Sequence, residues 1–401
     1  MSKRYLVKLT PIGKFFFGGD MRFGINGKEE KFSSYIIESS KMPQQTSLLG
    51  MMRFLLLSKD EKLFDEKENC IMEDVSEESL KNLIGVSGFS VSENKDVNNE
   101  NKDEYKFGKI KSLGPCCVYK DGKRYYPAPI DKGFSSINWN WDADKVVKAT
   151  VNGKEVQLPE LKIVEDGEEK LFTGKHYLSS LFMKISPENI NVKKDIVYIA
   201  SGKLMIKDYL YSEDELFIED SRIGIDKDYE GKSQKNAFYK QISYRLKDGF
   251  CFAFDVEVDD SVDLTESKYN KQLVNLGADA SFFIFEAEPI EKTNCNEDDG
   301  LSVVLLSDAY IPKKDIDKCE IRYSITKMRP FRFISSENNS SDASYYRING
   351  KNAAKRSERY ELYEAGSVFY FEDKDKRSVF CKILEGRNDF NQIGYNKYYI
   401  K

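Results

Sequence analysis

The sequence predicts an α+β protein in which sheets predominate. Many of its 26 phenylalanines and 24 tyrosines alternate with polar residues, as they do in strands that are buried on one face. By contrast, residues 43–57 are apolar on nearly every face of a helix, so we expect a buried helix there. The chain has 401 residues, which exceeds a typical single core, and two domains are therefore expected.

The N-terminal segments set the expected topology. Arg4 to Thr10 has the alternation of a strand, and Phe15-Phe16-Phe17 precedes a flexible turn at Gly18 and Gly19. A strand, a loop, a buried helix and further strands begin the β-α-β-β-α-β order of the ferredoxin-like or RRM-type fold. This order is our prediction for the first domain.

The buried helix begins with a polar stretch. Pro43 fixes the direction of the chain, and Thr46 or Ser47 is expected to cap the first amides of the helix. Gly50 is expected to let another backbone approach closely. The free amides at the start of the helix could hold a phosphate group, whereas an ordinary capped core helix is the plainer alternative.

A long, protruding β-hairpin is expected at about residues 219–247. Its tip, residues 231–236, is basic and polar, and its second strand carries Tyr239 and Lys240. An exposed hairpin of this composition could stack on the bases of a single-stranded nucleic acid while its lysines meet the phosphates. A solvated hairpin at the edge of a sheet is the alternative.

Four strongly alternating segments from Cys251 onward predict a second sheet, and we therefore place the domain boundary between residues 250 and 251. The two domains are then residues 1–250, which include the hairpin, and residues 251–401. Four segments contain too few apolar residues to pack and are expected to be polar surface insertions. They are residues 91–106, 257–271, 292–300 and 335–344.

The C-terminal region has two features typical of phosphate binding. Residues 347–359 contain five Lys or Arg and one acidic residue, a local positive strip for which a solvated charged face is the alternative. Further on, Gly394 precedes Tyr395, Asn396 and Lys397. We expect a bare turn there, at which backbone amides could approach a phosphate beside an aromatic ring and a cation.

The composition narrows the classes of function. The formal net charge of −5 argues against a protein that binds nucleic acid over its whole surface. Any nucleic-acid binding must therefore depend on local positive charge. Seven cysteines without a CxxC pair are expected to be reduced thiols, and no metal site is expected. Nucleotide-binding glycine loops are missing, so no cofactor is expected. Without a long apolar run or a signal-peptide core, the expected location is the cytoplasm, away from membranes.

Five segments, taken in order, resemble the third subunit of the Cmr complex, the type III-B CRISPR RNA-guided effector. That subunit is a RAMP-superfamily protein of the Cas-five group. The resemblance runs from end to end, although residues 276–280 differ from the Gly-Gly-Glu that the family often has there. The segments are Phe16-Phe17-Gly18-Gly19-Asp20, Pro43-Gln44-Gln45-Thr46-Ser47-Leu48-Leu49-Gly50-Met51-Met52-Arg53, Arg222-Ile223-Gly224-Ile225-Asp226, Ala365-Gly366-Ser367-Val368-Phe369-Tyr370 and Ile393-Gly394-Tyr395-Asn396-Lys397.

The resemblance implies two ferredoxin-like domains, a hairpin thumb and no catalytic residues. It further implies that the protein binds the 5′ handle of the guide CRISPR RNA, contacts a large Cas-ten-type subunit and a backbone Cas-seven-type subunit, and meets target RNA only indirectly. The residues expected to contact RNA on this basis are Gly18, Gly19, Arg22, Gln44, Gln45, Thr46, Ser47, Arg53, Arg222, Lys232, Lys235, Asn236, Tyr239, Lys240, Lys355, Arg356, Gly394, Tyr395, Asn396 and Lys397.

Three alternatives remain open at this point. The first is the equivalent subunit of a type III-A or III-D complex, with the same role and different neighbours. The second is a guide-RNA-processing endonuclease of the same superfamily, in which His176, the only histidine, would act as a general base beside Lys175 and Tyr177. The third is an RRM-like module unrelated to CRISPR.

Overall fold

The computed structural model describes most of the chain as an α+β structure in which strands predominate. The residues it describes are 2–19, 21–25, 32–72, 74–85, 107–130, 138–151, 154–165, 168–171, 181–184, 210–227, 233–291, 300–335 and 355–400. Within these ranges the helices are α1 (Gln45–Ser58), α2 (Glu77–Ile84), α3 (Glu213–Leu216), α4 (Lys313–Ile316), α5 (Lys374–Glu385) and α6 (Asn388–Gln392).

The strands are numbered in chain order. The first thirteen are β1 (Ser2–Pro11), β2 (Met21–Ile25), β3 (Phe32–Glu38), β4 (Phe64–Asp65), β5 (Cys70–Ile71), β6 (Ile110–Leu113), β7 (Cys117–Lys120), β8 (Lys123–Pro127), β9 (Asn138–Val151), β10 (Lys154–Glu165), β11 (Glu168–Leu171), β12 (Leu181–Lys184) and β13 (Leu210–Ser212). The others are β14 (Phe217–Lys227), β15 (Ser233–Leu246), β16 (Cys251–Asp259), β17 (Gln272–Asn275), β18 (Phe282–Pro289), β19 (Ser302–Leu305), β20 (Tyr323–Ile325), β21 (Met328–Phe331), β22 (Ile334–Ser335), β23 (Lys355–Arg356), β24 (Tyr360–Tyr363), β25 (Val368–Tyr370) and β26 (Tyr398–Ile400).

The chain forms two compact units, and each is made of segments that are distant in sequence. The first contains the described parts of residues 1–86, 97–122 and 214–291, and the second those of 87–96, 123–213 and 292–401. The boundary that we placed between residues 250 and 251 is therefore wrong. It would separate β16 and β18 from β1, with which both strands pair.

The first unit is built around an antiparallel sheet with the strand order β7-β16-β1-β18-β17, and β6 also pairs with β16. Alternate residues of β1 point into the core, where Val7 and Leu9 are fully buried opposite Phe254 and Phe252. Helix α1 contacts α2, β6 and β17. Three of its side chains at a spacing of four residues have no exposed surface, namely Leu48, Met52 and Leu56.

The segment after β1 joins three parts of the first unit. Phe15 exchanges backbone hydrogen bonds with Tyr244 in β15, at 2.8 and 3.2 Å. The next residue, Phe16, accepts a bond of 2.7 Å from the amide of Ala278. The rings of Phe15 and Phe17 stack at 4.7 Å and pack against Phe252 in the core. The end of β1 is thus fixed to the hairpin and to the turn before β18.

The expected hairpin is formed by β14 and β15, which are antiparallel, and β15 also pairs in parallel with β3. Strand β2 completes this sheet, so its order is β14-β15-β3-β2. The sequence did not indicate that the hairpin would belong to a four-stranded sheet. The long separation between β3 and β15 explains why, because parallel pairing of distant strands leaves no local signal.

The second unit contains an antiparallel sheet with the strand order β20-β25-β19-β26. Helix α5 begins at its N-cap Asp373, whose side chain accepts a 2.8 Å bond from the amide of Lys376. The helix buries Phe380 and Leu384 in a core with Phe369. The unit also contains the strand groups β9-β10-β11, β13-β12-β8, β21-β24 and β22-β23.

Two expectations about sheets and insertions are wrong. The four alternating segments do not form one sheet, because β16 and β18 flank β1 whereas β19 and β25 lie in the second unit. Residues 257–271 are not a polar insertion. They complete β16 and bury Leu264 fully, with Val262 and Tyr269 6% and 7% exposed. The other three polar segments lie almost entirely outside the described residues.

Helix α1 differs from its expected N-terminus. It begins after the N-cap Gln44, and the structure has no side-chain capping bond there, so neither Thr46 nor Ser47 is the cap. Gly50 faces solvent beside Ser47 and Phe54, and apart from its chain neighbours and the backbone of its own helix, no described residue lies within 4 Å of the position that a Cβ would take. The expected close approach of another backbone at Gly50 is therefore wrong.

The cysteines of the described residues are free thiols, as expected, and Cys116 and Cys117 are buried. Burial raises the pKa of Cys251 to about 12, so this thiol stays protonated at neutral pH. In the part of the chain that the structure describes, no helix is both long enough and apolar enough to cross a membrane.

The turn before β18 gives a test of backbone strain. Asp279 and Ala280 have φ values of 54° and 52°, and the amide of Ser281 bonds to the carbonyl of Ala278, as in a type I′ turn. Because alanine is strained at positive φ, we expect Ala280→Gly to raise the free energy of unfolding of the full chain by about 0.5–1 kcal/mol.

The matched control is Ala278→Gly in the same turn. Ala278 has no positive φ, so this change should lower the free energy of unfolding by about 0.5–1 kcal/mol. Chemical denaturation measures both variants. Equal effects of the two substitutions would contradict the assignment of strain to Ala280.

Candidate nucleic-acid interface

The base of the hairpin is buried in the first unit. Phe217, Tyr244 and Leu246 are 5%, 5% and 8% exposed, and the hydroxyl of Tyr244 donates a 2.7 Å hydrogen bond to Glu38. The ammonium group of Lys41 lies 5.2 Å from the centre of the Tyr244 ring. These contacts hold the base of the hairpin against the rest of the first unit.

Further from the base, the hairpin is exposed. Arg222 is exposed and lies opposite Gln241, whereas Ile223 is 64% exposed and lies opposite Lys240. Lys240 is half-buried and forms an ion pair of 3.6 Å with Glu219. The two faces at this level therefore carry a cation and an apolar side chain that are open to solvent.

Three residues near the tip that we expected to contact RNA lie partly or wholly outside the described part of the structure. Lys235 and Asn236 lie in β15, and their side chains are outside the described part of the structure, as is all of Lys232. Tyr239 is half-buried, and its phenol group lies over Gly224 on the paired strand. Gly224 was not among the residues that we expected at the site, although a glycine inside an alternating strand signals a close approach.

Gly18 and Gly19 serve the packing of the chain. Gly18 has a φ of 72°, and its carbonyl accepts a 2.8 Å bond from the amide of Ser40. A Cβ at Gly19 would lie 1.9 Å from the carbonyl oxygen of Glu38. These glycines allow the chain to run beside the end of β3. Arg22 follows in β2, opposite Ile36, and its side chain is not described.

The polar start of α1 contains accessible and buried residues. Gln44 and Thr46 are half-buried and Ser47 is exposed, so these three remain near the positive end of the helix dipole. Gln45 is 5% exposed and bridges α1 to the loop before β7. Its amide group donates a 2.8 Å bond to the carbonyl of Gly114 and accepts a 3.2 Å bond from the amide of Cys116.

Arg53, further along α1, is largely enclosed. Its guanidinium lies 5.5 Å from the centre of the Phe107 ring, and burial lowers its pKa to about 10. Because their side chains hold the first unit together, the RNA contacts expected of Gln45 and Arg53 are not supported by this structure.

The C-terminal glycine turn is also structural. Gly394 has a φ of 93°, as expected for a bare turn, but all the backbone amides of residues 394–397 donate to protein acceptors. The acceptors are the carbonyls of Asn391, Phe390 and Asp308 and the hydroxyl of Ser307, at 3.2, 2.9, 3.0 and 3.0 Å. The expectation that these amides hold a phosphate is therefore wrong, since none of them is left to donate.

The side chains of this turn point into the second unit. Tyr395 is 1% exposed and packs edge-on against Phe331 and Phe390, at 5.6 Å from each. Asn396 has no exposed surface and a φ of 57°. Its side chain accepts a 2.9 Å bond from the amide of Tyr310 and donates a 3.2 Å bond to the carbonyl of Leu384.

Asp308 joins this turn to the neighbouring strands. Its carboxylate accepts a 3.0 Å bond from the amide of Ala365 and forms an ion pair with Arg329. Lys397, half-buried, donates through its ammonium group to Asn391. The four residues of the Gly-Tyr-Asn-Lys segment thus close the core of the second unit, and the expected RNA contacts of Tyr395 and Asn396 would require those side chains to leave it.

The structure brings one subset of the expected residues together. Gly18, Gly19 and the hairpin residues Arg222, Tyr239 and Lys240 all lie in the first unit, and Arg22 joins them across β3. Lys355 and Arg356 form β23 in the second unit, without described side chains. His176 lies outside the described residues. Among those described, no group of three His, Cys, Asp or Glu side chains is placed to hold a metal ion.

Replacement of Asn396 distinguishes a structural role from an RNA contact. Asn396→Ala would leave the amide of Tyr310 and the buried carbonyl of Leu384 without this partner and place alanine at positive φ. We expect the free energy of unfolding to fall by about 2–4 kcal/mol. Thermal or chemical denaturation of the RNA-free protein measures it.

The control for this variant is Asn275→Ala, which changes an exposed asparagine in the edge strand β17. Its stability should stay within about 0.5 kcal/mol of the parent protein. If Asn396→Ala were as stable as the control, the turn would not close the core as described.

Three solved structures contain chains that are similar to this one. Two solved structures of the Type III-B Cmr-beta complex bound to cognate target RNA, the second also with AMPPnP, contain chains 13% and 14% identical to this one, with TM-scores of 0.49 and 0.45. Both matches cover 99% of this chain and 96% of that chain. A chain in a Csm3-Csm4 subcomplex of the type III-A CRISPR-Cas interference complex is 13% identical, with a TM-score of 0.33, and the match covers 92% of this chain and 93% of that one.

No curated protein matches the sequence. A family model does, and it spans almost the whole chain, from residue 7 to residue 401. The match includes residues of both compact units and all four strands of the hairpin sheet, β2, β3, β14 and β15. On this evidence the chain belongs to the family of CRISPR-associated proteins named Cas_Cmr3.

Proposed function

We propose that this protein is a non-catalytic subunit of a type III CRISPR effector complex that binds and caps the 5′ handle of the guide RNA. In this role it acts in the cytoplasm and supports antiviral defence. It links the large Cas-ten-type subunit to the Cas-seven-type backbone and meets target RNA only through them. The observation that carries the proposal is the family match over residues 7–401.

The hairpin sheet supports an RNA-binding role. Its base is buried in the first unit, whereas its outer part exposes Arg222 and presents Tyr239 and Lys240. A cation and an aromatic ring on an exposed hairpin are suited to binding single-stranded RNA, since bases stack on rings and phosphates pair with cations. A net charge of −5 is compatible with this role because the RNA contact is local.

The topology of each unit supports two ferredoxin-like domains. In the first unit we count β1, β7, β16 and β18 as the first to fourth strands in chain order. Side by side in the sheet, they lie in the order second, third, first, fourth. In the second unit, β19, β20, β25 and β26 repeat that order, with α4 and α5 in the two helical positions of a β-α-β-β-α-β fold. In the first unit α1 occupies one helical position, and residues 260–281 replace the other helix.

The proposal is tested by purifying the tagged protein from its native host and sequencing the RNA that accompanies it. Guide RNAs with intact 5′ handles, together with a large polymerase-like subunit, are the expected result. Recovery of unprocessed precursor RNA without those partners, or cleavage of precursor RNA by the isolated protein, would contradict a non-catalytic handle-binding role.

Lysines of the hairpin give a quantitative test of the RNA contact. Replacing Lys232, Lys235 and Lys240 together by Gln removes up to three phosphate partners. We expect weaker binding of handle-bearing RNA and a slope of log K against log salt that is shallower by about 2. Filter binding over a salt series measures both quantities.

The control replaces the same three lysines by Arg, which keeps the charge and should leave the salt slope unchanged. An unchanged slope in the Gln variant would show that the hairpin lysines do not neutralise phosphates, and the hairpin would then need another role.

A further inference from the structure

Gly224 lies in the middle of β14 and has a ring where its side chain would be. It is paired directly with Tyr239 of β15. A Cβ at Gly224 would lie 2.2 Å from Cζ of Tyr239 and 2.4 Å from both Cε1 and the hydroxyl oxygen. Since carbon atoms in contact are separated by about 3.5–4 Å, the ring occupies the place of the missing side chain.

The glycine is required here for space. Its φ is not positive, so any residue could adopt the extended backbone of β14 at this position. Glycine inside a strand weakens the strand, and an aromatic side chain laid across it from the neighbouring strand compensates for part of that loss. A methyl group at this position would force Tyr239 into another rotamer and turn its ring away from β14.

The exposure of the residues around the Tyr239 ring differs along the hairpin. Tyr244 and Phe217, nearer the base, are buried, whereas Gly224 and Tyr239 are half-buried. Arg222 is exposed on the same face as Gly224, two residues closer to the base, and Ile223 is 64% exposed on the opposite face. Tyr239 itself is half-buried, so one side of its ring is against β14 and part of it is accessible.

We propose that Gly224 is a positioning residue: it holds Tyr239 across the hairpin so that the ring forms a stacking surface for one unpaired RNA nucleotide. Arg222 lies on the same face, where it meets the phosphate next to that nucleotide. This inference rests on the proposed function, since it assumes that RNA reaches the hairpin. It adds that the Gly224 and Tyr239 pair, and not the lysines alone, determines where a base is held.

A ring that is fixed before RNA binds should give a higher affinity for the stacked base. A tyrosine side chain that is free to change rotamer loses entropy when a base orders it, whereas a ring already fixed over glycine does not. Alanine replacement of a stacking aromatic residue weakens RNA binding by about 5- to 100-fold. If Gly224 fixes the ring, its replacement should cause part of the same loss although Gly224 itself makes no stacking contact.

The experiment uses the full-length protein and a single-stranded RNA that carries the guide handle. The fluorescent base 2-aminopurine is placed in turn at the nucleotides around the junction of handle and guide. We expect quenching at one position with the parent protein, and also with Tyr239→Phe, which keeps the ring. Tyr239→Ala and Gly224→Ala should both lose that quenching and bind the RNA about 5- to 100-fold more weakly.

A double substitution shows whether the two residues act as one unit. The variant with both Gly224→Ala and Tyr239→Ala should bind RNA as Tyr239→Ala does, because the glycine acts only through the ring. The matched control is Gly50→Ala on the exposed side of α1, where a Cβ would contact no described residue beyond its chain neighbours and the backbone of its own helix. It makes the same chemical change and should leave quenching and affinity unchanged.

Each outcome decides the proposal. Parent-like quenching with Gly224→Ala, or additive losses in the double variant, would overturn the positioning role of Gly224. If Gly224→Ala does not fold, equal affinities of Tyr239→Ala and Tyr239→Phe would overturn the stacking surface. The proposed function is judged separately, from the preference of the parent protein for the handle over a scrambled handle sequence.

Discussion

The arrangement of the first unit depends on the backbone hydrogen bonds made by three consecutive residues after β1. Phe15 bonds to the second strand of the hairpin, Phe16 to the turn before β18, and the amide of Phe17 to the hydroxyl of Ser39 at 2.9 Å. The rings of Phe15 and Phe17 are at the same time part of the core of the main sheet. The hairpin sheet is therefore fixed to the main sheet by backbone bonds, which leave little freedom in its direction.

Two glycines make this junction possible. A Cβ at Gly19 would lie 1.9 Å from the carbonyl oxygen of Glu38, and one at Gly277 would lie 2.4 Å from that of Phe16. Gly277 also has a φ of 99°. The resemblance placed Gly18 and Gly19 among the RNA contacts, but the φ of 72° at Gly18 and the packing at Gly19 explain both glycines before any RNA is considered.

The sequence predicted those elements whose signal is local. Helix α1, the hairpin and the strand character of β1, β16, β18, β19 and β25 follow from periodicity within each segment. Strand partners could not be predicted in this way, because β1 pairs with strands about 250 and 280 residues later, and the alternation of those strands is the same in either sheet. Residues 257–271 were misjudged for a similar reason. Four buried apolar side chains, Val258, Val262, Leu264 and Tyr269, anchor this polar segment, and an average over the segment hides them.

The site was harder to predict because the sequence does not show why a glycine is present. It can allow a positive φ, or it can make room for a neighbouring group. At Gly394 the turn is real, but every amide from residue 394 to residue 397 already has a protein acceptor, so its conformation serves the core. At Gly224 the φ is ordinary, and the missing side chain makes room for the ring of Tyr239 on an exposed hairpin. An unsatisfied donor or an accessible ring is what makes a glycine segment available to RNA, and only the folded chain reveals either. By that criterion the described part of the hairpin fits the RNA contact that we propose better than the C-terminal turn does.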